Sequence, residues 1–403
     1  MNTKTRIALV AATLGMAAVG HAENGVELVQ GIFAQTNHTL IPLLEWRARY
    51  EYGEQDNSDP SHAATLRARV GLQSQDYNGF SGLLEFEATR ALDTDTYIGA
   101  GKTPIADPET TEINRAQIQF KRGDHLAIGG RQRIILDNAR FVGNVGWRQN
   151  EQTFDALSYK NTSIENMSLY YAYLDSVNRI FGSEATGANK RFNSDSHLLN
   201  ASYSGIEGLK LTGYAYLLDF DNSAANSSDT VGISAAYKSK IAEDYAFDGY
   251  AEFAYQQDGG DNPVDYSAPY LHVNGKVARE GYSGLLGLEL LGSDDENFGF
   301  RTPLATAHAF NGWNDQFLVT PNSGLKDIYA GIGLPCIPKV PMTFVYHYFT
   351  AANGSSIYGH EFDFMASYKV SPKMKAIAKA SYYDADEFSV DRTRFSVEMN
   401  YKY

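Results

Sequence analysis

Arginine recurs in this chain at intervals of two, as Arg47 and Arg49, Arg67 and Arg69, and Arg131 and Arg133, and appears again as Arg115 and Arg394. A guanidinium is planar, always charged, and carries paired N–H donors that match the two oxygens of a carboxylate. A row of them on one surface is chemistry for holding and passing on organic anions. A spacing of two brings side chains to one face only in an extended strand. The surrounding residues agree. In Glu45-Trp46-Arg47-Ala48-Arg49-Tyr50-Glu51-Tyr52 every charge falls on one face and every apolar group on the other. Glu45, Glu51, Glu85 and Glu87 share the arginines' phase. Cross-strand ion pairs that merely stiffen a sheet are therefore the competing reading, and both hold if they apply at different heights. Asp248, Glu252, Glu289, Glu361 and Asp363 form a second, acidic set. A basic wall opposite an acidic one would set up a transverse field across any space between them.

Other reaction chemistry is missing. Gly99-Ala100-Gly101-Lys102-Thr103 looks like the tail of a phosphate-binding loop, but Thr96 stands where the first glycine is needed. There is no Gly-x-Ser-x-Gly elbow and no His-Glu-x-x-His. Asp219, Asp221 and Asn222 lack the remaining spacing of a calcium loop. His272 and His347 share the inward phase but do not make a metal site. Cys336 is the single cysteine, which excludes a disulfide framework and a Cys-rich metal centre. The net charge of −14 supplies no general basic face for nucleic acid. The sequence thus predicts no enzyme, no cofactor, no metal and no nucleic-acid partner.

The elements that position the arginines follow an export signal. Lys4 and Arg6 precede an apolar run at 7–20, and Gly20-His21-Ala22 is a small-x-small cleavage site. The run is too short to span a membrane as a helix, so residues 1–22 read as a signal peptide and 23–403 as the mature protein. Loss of two cations and no acids takes the charge from −14 to −16. Alternation then marks eighteen strands: 45–52, 65–75, 80–90, 112–121, 125–133, 153–160, 167–175, 197–203, 209–218, 229–238, 245–256, 268–277, 282–291, 325–333, 341–349, 360–369, 374–383 and 393–403. Poor alternation at 153–160 and 167–175 leaves sixteen open. Short and long connections alternate, as they do in transmembrane barrels with tight periplasmic turns and long outer loops. Leu66, Ala68, Val70 and Leu72, and Met374, Ala376, Ala378, Ala380 and Tyr382, form apolar faces for lipid. The predicted fold is an all-β, transmembrane antiparallel β-barrel in the bacterial outer membrane, its last strand paired with its first. At eighteen strands the backbone diameter is roughly 35 Å, too wide for side chains alone to fill.

Two long connections, 134–152 and 292–324, mix Arg, Asn, Asp and aromatics with Gly, a composition suited to loops folded into the lumen. Gly130 to Gly143, with Gly146-Trp147-Arg148-Gln149-Asn150-Glu151-Gln152-Thr153-Phe154-Asp155, resembles a segment of the alginate-export family of outer-membrane barrels. Phe300-Arg301-Thr302-Pro303-Leu304-Ala305-Thr306, His308-Ala309-Phe310-Asn311-Gly312-Trp313, Asp315 and Phe317 resemble another. The resemblance implies an arginine-lined pore and, in its narrowest form, export of an anionic polysaccharide such as alginate with periplasmic partners.

Together these readings predict a porin passing small hydrophilic anions, such as sugar acids or an anionic oligosaccharide. The expected path residues are Arg47, Arg49, Arg67, Arg69, Arg115, Arg131, Arg133, Asp137, Arg140, Arg148, Arg301, His308, Asn311, Trp313, Asp315 and Arg394. Expected partners are outer-membrane lipid, lipopolysaccharide and the barrel assembly machinery. The rival classes are an outer-membrane barrel hydrolase and an adhesion or receptor barrel, for which the 22 residues from Glu23 to Leu44 are too few to form a plug.

Overall fold

The structure, a computed structural model, describes residues 40–403; the expected signal peptide lies outside the described residues. The alternating segments form β1 (Leu40–Gln55), β2 (Ser61–Ser74), β3 (Phe80–Ala91), β4 (Thr110–Arg122), β5 (His125–Gln132), β6 (Thr153–Asn161), β7 (Met167–Asn178), β8 (Arg191–Ile206), β9 (Leu209–Leu218), β10 (Ser228–Ala242), β11 (Tyr245–Asp258), β12 (Ser267–Arg279) and β13 (Tyr282–Leu291). A two-residue hairpin, β14 (Ser293–Asp294) and β15 (Phe298–Gly299), follows. The chain ends with β16 (Leu325–Ile337), β17 (Val340–Thr350), β18 (Ile357–Ser371), β19 (Met374–Ala385) and β20 (Arg392–Lys402).

All but the β14–β15 hairpin join one 18-stranded antiparallel sheet, in which each strand pairs with its neighbours along the chain. β1 pairs with β20, setting Trp46 opposite Tyr401 and Arg49 opposite Glu398, and this closes the barrel. The Trp46 and Tyr401 rings stack across that seam, 6.0 Å apart. The count is therefore eighteen. The poor alternation of β7 has a local cause: Asp175 is left unpaired where the register shifts between Leu174 and Ser176, so the period of two breaks there. One rim carries short turns and the other all the long loops.

The two faces of the wall have opposite character. Leu66, Val231, Ile233, Phe253, Leu286, Ile328, Phe344, Phe362 and Val397 are exposed on the outside. Monomeric soluble proteins rarely expose so continuous an apolar surface. Among the described residues no helix is long and apolar enough to cross a membrane. The strands can cross one, because closure gives every backbone group of the wall a partner. Inside, Tyr214, Tyr216, Tyr270 and Phe349 of the wall pack against Phe141, Phe300, Leu304 and Phe317 of the two long loops. Phe141 lies 5.4 Å from Tyr214 and 5.2 Å from Tyr270, ring to ring. These loops therefore fill part of the lumen.

Val397, midway along β20, tests which face meets lipid. Val397→Arg should cost roughly 2–4 kcal/mol of stability in a bilayer, measured by reversible denaturant unfolding in lipid vesicles. A loss no larger than that of an exposed loop substitution would contradict a hydrocarbon-facing exterior.

Candidate functional site

Strand alternation turns the arginines of β1, β2, β4 and β20 inward, and the acids of the same phase meet them. Arg49 Nη2 donates to Glu398 Oε2 at 2.6 Å, and its Nη1 lies 3.3 Å from Asp107. Arg67 pairs with Glu45, and Arg69 with Glu87. Arg115 holds Glu85 through two bonds of 2.9 and 2.8 Å. Arg394 pairs with Asp315, and its Nε lies 3.6 Å from Glu51. Arg392 donates to the Asn314 carbonyl at 3.1 Å. Most of this basic wall is thus matched by carboxylates.

Arg131 and Arg133 separate. Gln132 and Phe154 are cross-strand partners buried inside, so their neighbours Arg131 and Asp155, also partners, face outward on the side of exposed Leu157. Arg131 forms a bidentate pair with Asp155 there, at 2.7 and 2.9 Å. This corrects the expectation of Arg131 as a lumen residue. Arg133 lies one residue beyond the end of β5, escapes the alternation, and reaches Glu151.

The loops at 133–152 and 300–324 form one body within the barrel. Gly143 N–H donates to the Leu304 carbonyl at 2.9 Å, and Thr306 N–H to that of Ala139 at 3.0 Å. Arg140 pairs with Glu289 of β13 and donates to Asn311 Oδ1 at 2.9 Å. Arg148 reaches Glu51 of β1 at 3.2 Å and Asp315 at 3.0 Å. Arg47 Nη1 donates to the carbonyls of Gly146, Trp147 and Arg148 at 3.0–3.1 Å. Asn314 N–H donates to Glu361 of β18 at 2.7 Å. Asp137 accepts from Asn200 Nδ2 and Lys210 Nζ at 2.7 and 3.1 Å. Asp137, Ala139, Val145, Asn311 and Asp315 all have positive φ. Such conformations persist only where surrounding contacts enforce them, and β-branched Val145 is the least expected. Gly312 has φ +82°, and a Cβ there would run into the Glu361 carboxylate.

His308 joins the loops to the wall. Its ring stacks on Trp147 at 4.1 Å with planes 3° apart. Burial, with Lys379 and Arg148 nearby, pushes its imidazole down to about 3 against the pull of Asp315. The ring is therefore neutral at ordinary pH. Nδ1–H then donates to Asp315 Oδ1 at 2.7 Å, which leaves Nε2 to accept from Lys379 Nζ at 3.1 Å. Burial opposes the charge on Asp315, yet His308, Arg394 and Arg148 hold it well below the usual carboxylate range. Lys379 of β19 sits 4.0 Å from the Trp147 ring centroid and 4.6 Å from that of Trp313.

Arg47, Arg49, Arg67, Arg69, Arg115, Arg133, Arg140, Arg148, His308, Asn311, Trp313, Asp315 and Arg394 thus gather in or against this inner network. Asp137 anchors its far edge. Arg301 stands apart, in a pocket with Arg179. Sequence reasoning missed Lys379, because β19 was read for its apolar phase alone, and Glu398, which shares the arginines' phase in the last strand. Asp107 and Glu151 lie in irregular segments where no period points to them. Among the described residues, no group of three or more His, Cys, Asp or Glu side chains is placed to hold a metal ion. At the short-turn mouth Lys160, Lys238, Lys276, Lys369, Lys375 and Lys402 stand on the inward phase. Lys369 and Lys375 are direct cross-strand partners.

No protein-family model matches the chain, and a search of curated proteins finds no match. The resemblance to the alginate-export family therefore gains no support. Solved structures do share the fold. Acinetobacter baumannii OccAB4 superposes with a TM-score of 0.73 at 14% identity, covering 91% of this chain and 99% of that one. Acinetobacter baumannii OccAB2 gives 0.70 at 17% identity, covering 90% and 98%. Pseudomonas aeruginosa OpdK, solved with vanillate, gives 0.71 at 13% identity, covering 90% and 98%.

Asp315→Asn keeps the shape but leaves Arg148 and Arg394 short of a buried counter-charge. It should cost roughly 3–5 kcal/mol, read from denaturant unfolding in micelles; a loss under about 1 kcal/mol would mean the pair carries no weight. The pH response follows from His308. Its folded-state value lies below its unfolded one, so the unfolded chain binds the extra proton and stability falls as pH drops from about 6.5 toward 3. The unfolding midpoint should decline through that window, and decline less in His308→Gln. Equal slopes in the two proteins would show that the imidazole is not held neutral.

Proposed function

We propose that the chain is an outer-membrane porin giving passive passage to small hydrophilic anions. One observation carries this reading: a closed sheet whose outside is apolar and whose inside, over β1 to β4 and β20, is lined by buried charge, with two long loops folded against it. A wall lined this way favours water beside the packed loops over an uninterrupted hydrophobic core. The long loops would face outward from the cell and the short turns the periplasm. The shared fold with OccAB4, OccAB2 and OpdK supports a channel, and vanillate, bound to OpdK, is a small carboxylate.

The preference for anions rests on where charge is left unmatched. The arginine wall is largely neutralised by Glu45, Glu85, Glu87 and Glu398. At the short-turn mouth Lys238 and Lys276 flank Asp248 and Lys402 stands opposite Glu45, whereas Lys369 and Lys375 face each other and have no carboxylate within salt-bridge distance among the described residues. Like charges directly opposite are unfavourable unless an anion lies between them. A positive exit raises the local anion concentration and draws anions through.

Reversal potentials of purified protein in planar bilayers under a salt gradient test this directly. The expected result is anion-preferring current that moves toward cation preference in the Lys369→Ala, Lys375→Ala double variant. Arg131→Ala should leave the potential unchanged, because its ion pair lies on the outer surface. No channel activity would refute the porin reading. Cation preference in the parent protein would refute the anionic one.

A further inference from the structure

The outer surface of the wall is not evenly filled. A hollow of about 590 Å³ opens on it across β2 to β5. Leu72, Leu84, Ala116, Ile118 and Gly129, all of the outward phase, line it, and Ser74 and Gln117 are the only polar side chains in its lining. Gly129 gives it depth: a Cβ added there would meet only Leu157 Cδ1, at 3.8 Å. A hollow that faces hydrocarbon and offers so few polar partners does not hold water. Left empty, its lining loses dispersion contacts. Acyl chains are the material at hand to fill it.

A cation stands beyond each end of the hollow. On the long-loop side, Arg131 is the cross-strand partner of Ala116. It is already satisfied, by the bidentate pair with Asp155 and by a bond to the Ile113 carbonyl at 3.1 Å. On the short-turn side, Arg122 ends β4 and pairs with His125, the first residue of β5, across a two-residue turn. Both are exposed and share the outward phase of Ile118 and Gly129. Arg122 has no carboxylate within salt-bridge distance among the described residues, Asp124 of the same turn included. His125 Nδ1 lies 2.7 Å from the Tyr159 hydroxyl, and the two rings stack with planes 18° apart. With that hydroxyl donating, Nε2 carries the ring proton and has no partner among the described residues. Phe120 stands between Arg122 and Ile118 along β4, its ring 4.6 Å from that of Phe80.

The free cation and the hollow call for different parts of one molecule. A guanidinium matches two oxygens of a phosphate, and Nε2–H of His125 supplies a further donor beside it. A hydrocarbon chain gains little by leaving lipid for a protein groove, because lipid tails are as apolar as leucine. The chain's fit therefore positions the molecule, and the head decides which molecule stays. A zwitterionic head brings an ammonium toward Arg122, whereas a head of net negative charge does not. The unpaired cation lies at the short-turn end, which selects the periplasmic leaflet over the outer one.

We infer that the β4–β5 hairpin and the hollow beside it bind one anionic glycerophospholipid of the periplasmic leaflet, its phosphate met by Arg122 and His125 and one acyl chain seated against Leu72, Leu84, Ala116 and Ile118. The site lies on the outer surface and goes beyond the porin reading. It shares with that reading only the orientation of the barrel and stands whether or not the lumen conducts.

Native mass spectrometry of the full-length barrel, released from detergent with dioleoyl phosphatidylglycerol, dioleoyl phosphatidylethanolamine or lipid A, tests it. One phosphatidylglycerol per barrel should be retained, roughly fivefold or more above phosphatidylethanolamine, and equimolar lipid A should not displace it. Arg122→Gln should bring phosphatidylglycerol down to the level of phosphatidylethanolamine. Gly129→Leu, which fills the hollow, should lower retention of both. Lys339→Gln removes a cation from the turn between β16 and β17 and should change nothing. Unchanged heat-induced gel mobility shows that each variant remains a folded barrel. Equal retention of the two phospholipids, displacement by lipid A, or undiminished retention in Arg122→Gln or Gly129→Leu would overturn the inference. So would an equal loss in Lys339→Gln, which would trace the retention to diffuse charge around the rim.

Discussion

A backbone amide that faces hydrocarbon has nowhere to place its hydrogen bond except on another strand. That constraint decides the architecture. An open edge would strand a row of donors and acceptors, so β1 and β20 must meet. Once they meet, alternation turns every second side chain into an enclosed space. Arg49 and Glu398 come together there although 349 positions separate them. The inner network is thus a by-product of closure before it is anything else.

The enclosed charges then divide. Over β1 to β4 and β20, guanidiniums and carboxylates cancel at close range. Buried pairs of this kind contribute little net stability compared with apolar packing, but the removal of one partner is severe. Their effect is to fix geometry. They tie the first inward loop to two walls, Arg148 to Glu51 on one side and Arg140 to Glu289 on the other, and the second through Asp315 to Arg394. Apolar packing of Phe141, Phe300 and Leu304 supplies the bulk of the filling. On the porin reading, the electrostatic character of the lumen is left to the cations that have no such partner among the described residues.

The barrel was legible because period-two alternation, strand length and the sorting of loop lengths all report the same backbone physics. Strand-bound arginines such as Arg67 and Arg69 were legible for the same reason. Arg131 was not, because its phase depends on which partner it faces across β6, and Arg133 follows no phase outside the strand. The loop assignments rested on composition. Composition marked Arg148, His308 and Asp315 as residues able to line a lumen, but not that they would bond to one another, since that depends on left-handed turns at Val145 and Asp315. Arg179 carries no sequence signal at all. What distinguishes it is the lack of a carboxylate within salt-bridge distance among the described residues, which only three-dimensional arrangement reveals.

The seam between the first and last strands of the sheet sets the condition for completing the wall. The segment that seals the wall, Arg392 to Lys402, is the last sheet strand in the chain and has eleven residues. Until it arrives, β1 and β19 each present an unsealed border, and no amount of hairpin formation elsewhere can complete the cylinder. Hairpins elsewhere can pair without it, but closure has to wait for the tail. A chain clipped just before Arg392 would keep nearly all its contacts and still be left with two raw edges, ready to join another copy instead of itself.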